Sequence, residues 1–207
     1  IPVIVERASD QKRLKKVIIN LLDIVKKKKK GQELIGFISH YRELIKERLT
    51  ALNESEQTRV YWEWYKLYKT GAIGASVQPR IDFTGGKNIC ADAQGKYPQV
   101  SSEYVWQRDP EVIIKREGRS ISVAEMKKSW QELVSRTGLK ETSAVRNDRV
   151  HIITWDISSG IPGVIGSLYY AKWLHPERFA DIEPDKVYTK LLKKFYGLQN
   201  HPKSVYP

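Results

Sequence analysis

Cysteine is nearly absent from this chain of 207 residues, and its scarcity excludes whole classes of protein. The single cysteine, Cys90, cannot form an internal disulfide or a cysteine-rich metal site, so we expect a buried apolar side chain there. The four histidines are scattered and form no His-x-x-x-His pair, so the pattern does not indicate metal catalysis. Apolar runs are also short, and none approaches the ~20 residues that a helix needs to cross a bilayer.

Two common active-site patterns are missing as well. Residues 160–163 (Gly-Ile-Pro-Gly) lack the serine of a Gly-x-Ser-x-Gly nucleophile turn, and residues 71–74 (Gly-Ala-Ile-Gly) are not followed by the Gly-Lys-Ser/Thr of a phosphate-binding loop. The sequence therefore predicts no catalytic residue, no metal site and no cofactor. A small α/β enzyme of unassigned chemistry stays the alternative, because α/β lobes host many chemistries.

Positive charge is present in excess, with a formal net charge of +12 that suggests a nucleic acid or an anionic surface as partner. The distribution weakens this idea, because residues 1–50 carry thirteen Lys+Arg against six Asp+Glu and hold most of the excess. At their centre lies the run Lys26–Lys30, which we interpret as a solvated helix end or turn. A basic nucleic-acid-binding module is a weaker alternative, since arginines mixed with aromatic residues are not seen. We expect no nucleic-acid partner.

Hydrophobic periodicity predicts two helices followed by alternating strands and helices. Residues 1–5 are typical of a strand end, the first helix follows, and after a break at Gly31 a longer helix spans residues 32–52. Strands are then predicted at 59–64, 112–114 and 149–154, and helices before Gly85-Gly86 and over 101–109, 122–135, 164–174 and 185–196. This pattern indicates a three-layer α/β lobe with a mostly parallel sheet flanked by helices, preceded by a long connecting backbone helix.

Five segments resemble one family when they are taken in order. They are residues 85–89 (Gly-Gly-Lys-Asn-Ile), 97–103 (Tyr-Pro-Gln-Val-Ser-Ser-Glu), 109–114 (Asp-Pro-Glu-Val-Ile-Ile), 144–150 (Ala-Val-Arg-Asn-Asp-Arg-Val) and 171–177 (Ala-Lys-Trp-Leu-His-Pro-Glu). The set resembles the C-terminal lobe of helical-backbone (class III) substrate-binding proteins, which serve ABC importers of iron(III) chelates, siderophores, haem and cobalamin. The resemblance implies that residues 1–55 are the end of an N-terminal lobe with connecting helices, and that residues 56–207 are the C-terminal ligand-binding lobe.

The resemblance also implies site residues, most of which lie just beyond predicted strands, where α/β proteins collect ligands. The predicted ligand-binding residues are Trp62, Trp64, Tyr68, Thr70, Tyr97 and Asp156. Trp62 could equally pack in the core, and Asp156 fits the N-cap of a short turn equally well. Glu103 corresponds to the family's glutamate that meets arginines of the membrane permease, and its place in a first helical turn also suits a carboxylate.

The remaining expectations concern ligand, partner and location. Anionic ferric chelates favour arginine or lysine in the cleft, whereas corrinoids favour aromatic walls, and the sequence leaves both open. The family's first lobe is absent here, so we expect weak binding, in the range of ~mM. The first helix would then lack a partner for Leu14, Ile18, Leu21 and Val25, so a homo-oligomer is expected. We expect an extracytoplasmic protein that works with ABC permease subunits, and its export signal is not in this chain.

Overall fold

The computed structural model describes residues 16–20 and 26–207, so the predictions for residues 1–5 and for Leu14, Leu21 and Val25 lie outside the described residues. Residues 16–20 are helical. The strands are β1 (Thr58–Glu63), β2 (Gly86–Asn88), β3 (Val112–Glu117), β4 (Val150–Thr154) and β5 (Val205–Tyr206). The α-helices are α1 (Lys28–Leu49), α2 (Gln78–Phe83), α3 (Ser102–Arg108), α4 (Val123–Ser135), α5 (Ser143–Arg146), α6 (Trp155–Ser158), α7 (Gly163–Leu174) and α8 (Pro184–Tyr196). In this part of the chain, no helix combines the length and the apolarity needed to cross a bilayer.

The strands form one sheet in the order β2-β1-β3-β4-β5, which is parallel except for the pairing of β4 with β5. Successive strand residues point to opposite faces, so the sheet separates two hydrophobic clusters. One cluster includes Trp62 and Ile114 and packs against α1, α2, α7 and α8. The other includes Tyr61 and Ile113 and packs against α3, α4 and α5. This arrangement confirms the predicted three-layer α/β fold with a mostly parallel sheet.

Local sequence signals explain where several helices begin. The side chain of Ser101 accepts a hydrogen bond from the Tyr104 N–H at the start of α3. Ser122 and Glu125 form a capping box at the start of α4, in which each side chain accepts a hydrogen bond from the other residue's N–H. These caps satisfy backbone N–H groups that have no partner inside the helix, and they confirm the predicted helix starts.

The break predicted at Gly31 is wrong. Gly31 is the fourth residue of α1, which begins at Lys28 and ends at Leu49, three residues before the predicted end. Glycine costs about 1 kcal/mol in a helix relative to alanine. Tertiary packing outweighs this cost, because Leu34, Ile38 and Ile45 bury one stripe of α1 in the core. The helix therefore runs along the lobe, against α7 and α8.

The helix predicted to end at Gly85-Gly86 ends at Phe83, and Gly86 opens the strand β2. A Cβ atom at Gly86 would lie 2.9 Å from the side chain of Ile81 and 3.0 Å from that of Val60, so only glycine fits this close approach. Gly85, at φ +75°, supplies the turn between helix and strand. The sequence did not predict β2 because its residues are selected by close packing at Gly86 and not by β-propensity.

Two side chains for which the sequence made predictions, Cys90 and Ile18, are both buried. Cys90 is fully buried, as predicted, and burial raises the pKa of its thiol to about 11. Ile18, from the apolar face that was expected to lack a partner, is 4% exposed and belongs to the same core as α1. Because this side chain is covered within the chain, it does not require a second copy. Self-association stays a prediction.

His151 in β4 stacks on Trp173 of α7 with ring centroids 4.4 Å apart and planes within 3°. Its Nδ1 lies 3.2 Å from the carbonyl oxygen of Pro207. Burial, together with the charge of Arg149, lowers the pKa of His151 from 6.5 to about 4, although the contact with Pro207 opposes the shift. The imidazole is therefore neutral in the folded protein near neutral pH.

Acid should destabilise the protein through His151. Its pKa is lower in the folded than in the unfolded state, so the unfolded state binds the proton first and stability falls as pH drops from about 6.5 to 4. At roughly 1.4 kcal/mol per pKa unit, the loss should be about 2 to 3 kcal/mol. Urea unfolding of wild type and His151→Gln at several pH values measures it. The two stability curves should converge on acidification, and a constant difference between them would contradict the assignment.

Candidate ligand-binding cleft

Three neighbouring parallel strands end at the same edge of the sheet and bring their last residues together. Trp62 lies near the end of β1, Arg116 near the end of β3, and Trp155 directly after β4. In the parallel register, Trp62 pairs with Ile114 and Arg116 pairs with Ile153. Ligands collect beyond the carboxyl ends of such strands, so this edge is the candidate cleft.

Arg116 lies among three indole rings. Its Cζ is 3.9 Å from the ring centroid of Trp155, 5.0 Å from that of Trp64 and 5.3 Å from that of Trp62. The residue is only 7% exposed, and burial lowers the pKa of its guanidinium to about 10. Its Nε and the indole Nε1 of Trp62 and of Trp155 are buried donors that find no acceptor in the described part of the chain.

A second arginine, Arg80 of α2, lies on the same side. Its guanidinium is 5.5 Å from the ring centroid of Tyr170, and its Nη2 is 3.4 Å from the carbonyl oxygen of Gly163 at the start of α7. Burial lowers the pKa of Arg80, and the charge of Arg80 in turn lowers that of Arg116. Burial raises the pKa of Tyr170, and the neighbouring Arg80, Arg116 and Trp62 lower it; its hydroxyl makes no well-formed hydrogen bond among the described residues.

Buried polar groups are normally hydrogen-bonded, and buried charges are normally paired. The cluster of Arg116, Arg80, Trp62, Trp155 and Tyr170 departs from both rules in one place. Among the described residues, two positive charges and several N–H and O–H groups without a well-formed hydrogen bond converge there, and no carboxylate neutralises the charges. Such a set of groups can bind an anion, which would accept the hydrogen bonds and balance the charge.

An aromatic wall stands beside this donor cluster. The ring centroids of Trp64 and Tyr97 are 5.0 Å apart, and those of Trp64 and Tyr65 are 5.3 Å apart. The Tyr97 hydroxyl accepts a hydrogen bond from the N–H of Ser76 at 3.1 Å and lies 2.9 Å from its Oγ, which fixes the ring. The structure therefore brings the predicted residues Trp64 and Tyr97 together. Trp64 lies one residue beyond β1, not inside it as predicted.

Trp62, Thr70 and Tyr68 occupy less accessible positions. Trp62 is 1% exposed, so its ring packs in the core and only its indole N–H is left unused. Thr70 is fully buried, and its hydroxyl donates to the carbonyl oxygen of Trp62 at 2.6 Å. Tyr68 packs with the cluster on the other face of the sheet, where Arg136 lies 5.4 Å from its ring centroid. Ligand contact by Thr70 or Tyr68 therefore lacks geometric support.

Asp156 lies in the short helix α6, and its side chain has a local partner. One carboxylate oxygen accepts the N–H of Ser120 at 2.9 Å, and the neighbouring N–H of Trp155 donates to the carbonyl oxygen of Gly118 at 3.2 Å. These two bonds fix the loop after β3 against the start of α6. The same loop carries Arg119, whose guanidinium is 5.9 Å from the Trp155 ring centroid. Asp156 thus fixes the loop after β3, which borders the cleft.

Glu103 is exposed in the first turn of α3, as the docking hypothesis requires. Its own backbone N–H, together with Ser101 and Ser102, lowers the pKa of its carboxyl. Trp106, one turn further along α3, is 51% exposed, so this end of the lobe presents a carboxylate beside a large aromatic ring. The side chain of Glu103 has no ion pair in the part of the chain that the structure describes.

Sequence reasoning missed Arg116, Arg80 and Tyr170. The sequence carried a signal for Arg116, because successive residues of a strand alternate between the two faces of the sheet. The apolar run at 112–114 continues into charged residues 115–117, so Arg116 lies on the same face as residues 112 and 114. No comparable signal existed for Arg80 and Tyr170, which come from helices far apart in the chain. Nothing in the sequence places them beside a residue of β3.

Comparison with known proteins gives a consistent picture. A family model described as "Periplasmic binding protein" matches residues 2–156. The molybdate-binding protein MolA of Haemophilus influenzae is 24% identical over 194 residues, which cover 91% of this chain and 53% of that protein. The vitamin B12-binding protein of Vibrio cholerae is 40% identical over 72 residues, which cover 35% of this chain and 23% of that protein. The chain thus spans about half the length of MolA.

Solved structures share the fold. The TroA-like periplasmic binding protein FepB of Veillonella parvula superposes with a TM-score of 0.83 at 18% identity, covering 97% of this chain and 62% of that one. MolA of Haemophilus influenzae bound to molybdate superposes with a TM-score of 0.74 at 22% identity, covering 92% of this chain and 57% of that one. At these identities the likeness is one of fold.

Proposed function

The chain belongs to the periplasmic binding protein family, and from that premise we propose that it provides the C-terminal ligand-binding lobe of the substrate-binding component of an ABC importer. In this proposal it works outside the cytoplasm, binds a solute at the carboxyl edge of its sheet and delivers it to permease subunits in the membrane. It performs no chemistry on the solute. Such a role needs a concave face with a few polar groups that fix the ligand, and no nucleophile or general base.

We infer that the ligand is an anionic metal compound, with an iron(III) chelate or siderophore as the leading candidate. The observation that carries this inference is the buried Arg116, which is enclosed by Trp62, Trp64 and Trp155 and is paired with no carboxylate in the described part of the chain. Burying an unpaired charge is costly, and a bound anion offsets that cost. MolA, whose name describes molybdate binding, shows that a relative takes a metal oxyanion, which supports the anionic class.

Cobalamin is the second candidate, and a separate observation favours it. Trp64 and Tyr97 form a flat aromatic surface at the cleft, and such a surface can lie against a corrin ring. The segment that matches the vitamin B12-binding protein of Vibrio cholerae supports this possibility. Arg116 and Arg80 have no evident role toward a corrin face, so cobalamin ranks below the anionic chelates.

A ligand panel tests the proposal. Tryptophan fluorescence of the chain is titrated with ferric citrate, sodium molybdate, cyanocobalamin and, as a simple anion, sodium sulfate. We expect saturable binding of ferric citrate, in the range of ~mM because one lobe supplies part of the contacts. Tighter binding of cyanocobalamin than of ferric citrate would overturn the ligand class. No saturable binding of any metal compound would contradict the function itself.

Glu103→Arg should impair transport and leave ligand affinity unchanged. If Glu103 meets permease arginines, an arginine at this position adds like-charge repulsion, and transport should fall at least ~tenfold. The measurement is uptake of labelled ferric citrate by the reconstituted importer with the full two-lobed protein, alongside a ligand titration. Glu132→Arg, an exposed charge reversal on α4, is the matched control. Equal transport by wild type and Glu103→Arg would remove Glu103 from the docking role.

A further inference from the structure

An exposed arginine borders the candidate cleft and takes no part in the donor cluster. Arg119 lies in the loop between β3 and α4, three residues after the buried Arg116. Its Cζ is 5.9 Å from the ring centroid of Trp155, and the same centroid is 3.9 Å from the Cζ of Arg116. One indole ring therefore adjoins two guanidiniums, of which the first is buried in the cleft and the second lies at its opening.

The backbone on both sides of Arg119 is held by the start of α6. The Trp155 N–H donates to the Gly118 carbonyl oxygen at 3.2 Å. The Ser120 N–H donates to the Asp156 carboxylate at 2.9 Å, and Ser120 has a φ of +54°, a left-handed conformation that is unfavourable for residues other than glycine. Such a conformation persists where the surrounding structure enforces it, and it is frequent at ligand-binding positions. The loop therefore holds the backbone of Arg119 in one place.

The side chain of Arg119, in contrast, has no fixed polar partner. It makes no ion pair or hydrogen bond with another residue in the described part of the chain. The nearest carboxylates along the sequence are engaged elsewhere, since Glu117 lies 2.9 Å from the Nζ of Lys115 and Glu125 accepts the N–H of Ser122 at 2.7 Å. An arginine with a fixed backbone and an unused guanidinium is suited to bind an anion that enters the cleft.

We propose that Arg119 binds a second anionic group of the solute at the opening of the cleft, and that Asp156 positions it through the loop. The proposal rests on the function proposed above and adds a requirement to it, namely that the ligand extends from Arg116 to Arg119. Iron(III) citrate with citrate in excess meets this requirement, because its uncoordinated carboxylates can each accept hydrogen bonds from a guanidinium. Molybdate carries its charge on one compact group and meets the requirement less well.

Arg119→Gln tests the contact by titration of tryptophan fluorescence with ferric citrate and with sodium molybdate. We expect about fivefold weaker binding of ferric citrate, a smaller loss than for a buried arginine because water screens an exposed ion pair. Molybdate should bind wild type more weakly than ferric citrate does, and the replacement should change its affinity by less than ~twofold. Lys66→Gln removes an exposed positive charge from the loop after β1 and is the matched control, which should bind ferric citrate like wild type.

Three outcomes would overturn the role of Arg119. Equal loss of ferric citrate affinity in Arg119→Gln and Lys66→Gln would show that only the general positive charge of this edge matters. Unchanged binding in Arg119→Gln, with saturable binding by wild type, would remove Arg119 from the ligand site and leave the proposed function standing. Absence of saturable binding by wild type would overturn both the function and this inference.

The positioning role of Asp156 is tested by comparing two replacements. Asp156→Asn keeps an oxygen that accepts the Ser120 N–H and removes a negative charge, so it should bind ferric citrate at least as tightly as wild type. Asp156→Ala frees the loop and should bind about fivefold more weakly than Asp156→Asn, and this difference should vanish when Arg119→Gln is also present. A difference that persists in the Arg119→Gln background, or equally weak binding by both replacements, would contradict positioning through Arg119.

Discussion

Replacing Arg116 with methionine should abolish measurable binding of ferric citrate and leave the protein folded. A hydrogen bond to a charged group contributes about 1.5 to 3 kcal/mol, so losing the guanidinium should lower affinity by ten- to a hundred-fold. Stability should stay the same or rise, because Arg116 is a buried charge without a carboxylate partner in the described chain. Loss of binding with retained stability is the signature of a ligand-binding residue.

Two further variants sharpen this test. Arg116→Lys keeps the charge but loses the planar guanidinium that lies among the indoles, so it should recover only part of the affinity. Arg146→Met removes an exposed arginine elsewhere on the lobe and should bind like wild type. Fluorescence titration and urea unfolding are measured on the same samples. Arg116→Met that binds ferric citrate normally, or that unfolds several kcal/mol more easily, would show that Arg116 has a structural role instead.

Replacing Arg136 with methionine should destabilise the fold strongly. Arg136 Nη1 lies 2.9 and 2.8 Å from the two carboxylate oxygens of Glu63, whose side chain is fully buried on the face of the sheet away from the cleft. One oxygen of Glu63 also accepts hydrogen bonds from the Tyr61 hydroxyl at 3.1 Å and the Tyr68 N–H at 2.9 Å. Arg136→Met leaves this carboxylate buried without its counter-charge, a loss of about 3 to 5 kcal/mol.

A double variant separates the buried charge from the loss of the arginine as such. Glu63→Gln/Arg136→Met removes both charges and keeps a polar group for Tyr61 and Tyr68, so it should recover part of the stability lost in Arg136→Met. Urea unfolding at neutral pH of wild type, Glu63→Gln, Arg136→Met and the double variant gives the four free energies of unfolding. If the double variant is as unstable as the sum of the two single variants, the residues are not coupled and the ion pair is not what stabilises this strand end.

Local patterns in the sequence were sufficient for most of the fold. The capping residues Ser101 and Ser122 and the apolar run at 112–114 mark elements that the structure confirms. The strand β5 was missed, because Val205–Tyr206 is two residues long and exists through its pairing with β4. Such a pairing depends on a partner over fifty residues away, and a short segment carries no sign of it.

The site was only partly predictable for the same reason. Trp64 and Tyr97 could be placed at the cleft by resemblance, and the structure brings their rings together. The donor cluster was not foreseen, because it assembles Arg116 from a strand with Arg80 and Tyr170 from two helices. Sequence position does not reveal which charged side chains become buried and which stay exposed. That difference is decided by packing, and it is what identifies the anion-binding groups.

The indole N–H signals of the tryptophans give the most direct test of where the ligand binds. The chain contains six tryptophans, so a nitrogen-15 correlation spectrum should show six indole signals, assigned by single replacements. Gallium(III) citrate serves as a diamagnetic substitute for ferric citrate, and the method detects binding even in the range of ~mM. Three of the six tryptophans surround Arg116, and three lie elsewhere, at Trp106, Trp130 and Trp173.

Our account predicts that gallium(III) citrate shifts the signals of Trp62, Trp64 and Trp155 along one saturable curve and leaves the other three signals in place. The same titration of Arg116→Met should shift none of the six. Saturable shifts confined to the tryptophans outside the cleft, or no shift in wild type at concentrations where its fluorescence responds, would contradict the claim that Arg116 and its indole neighbours form the anion-binding site.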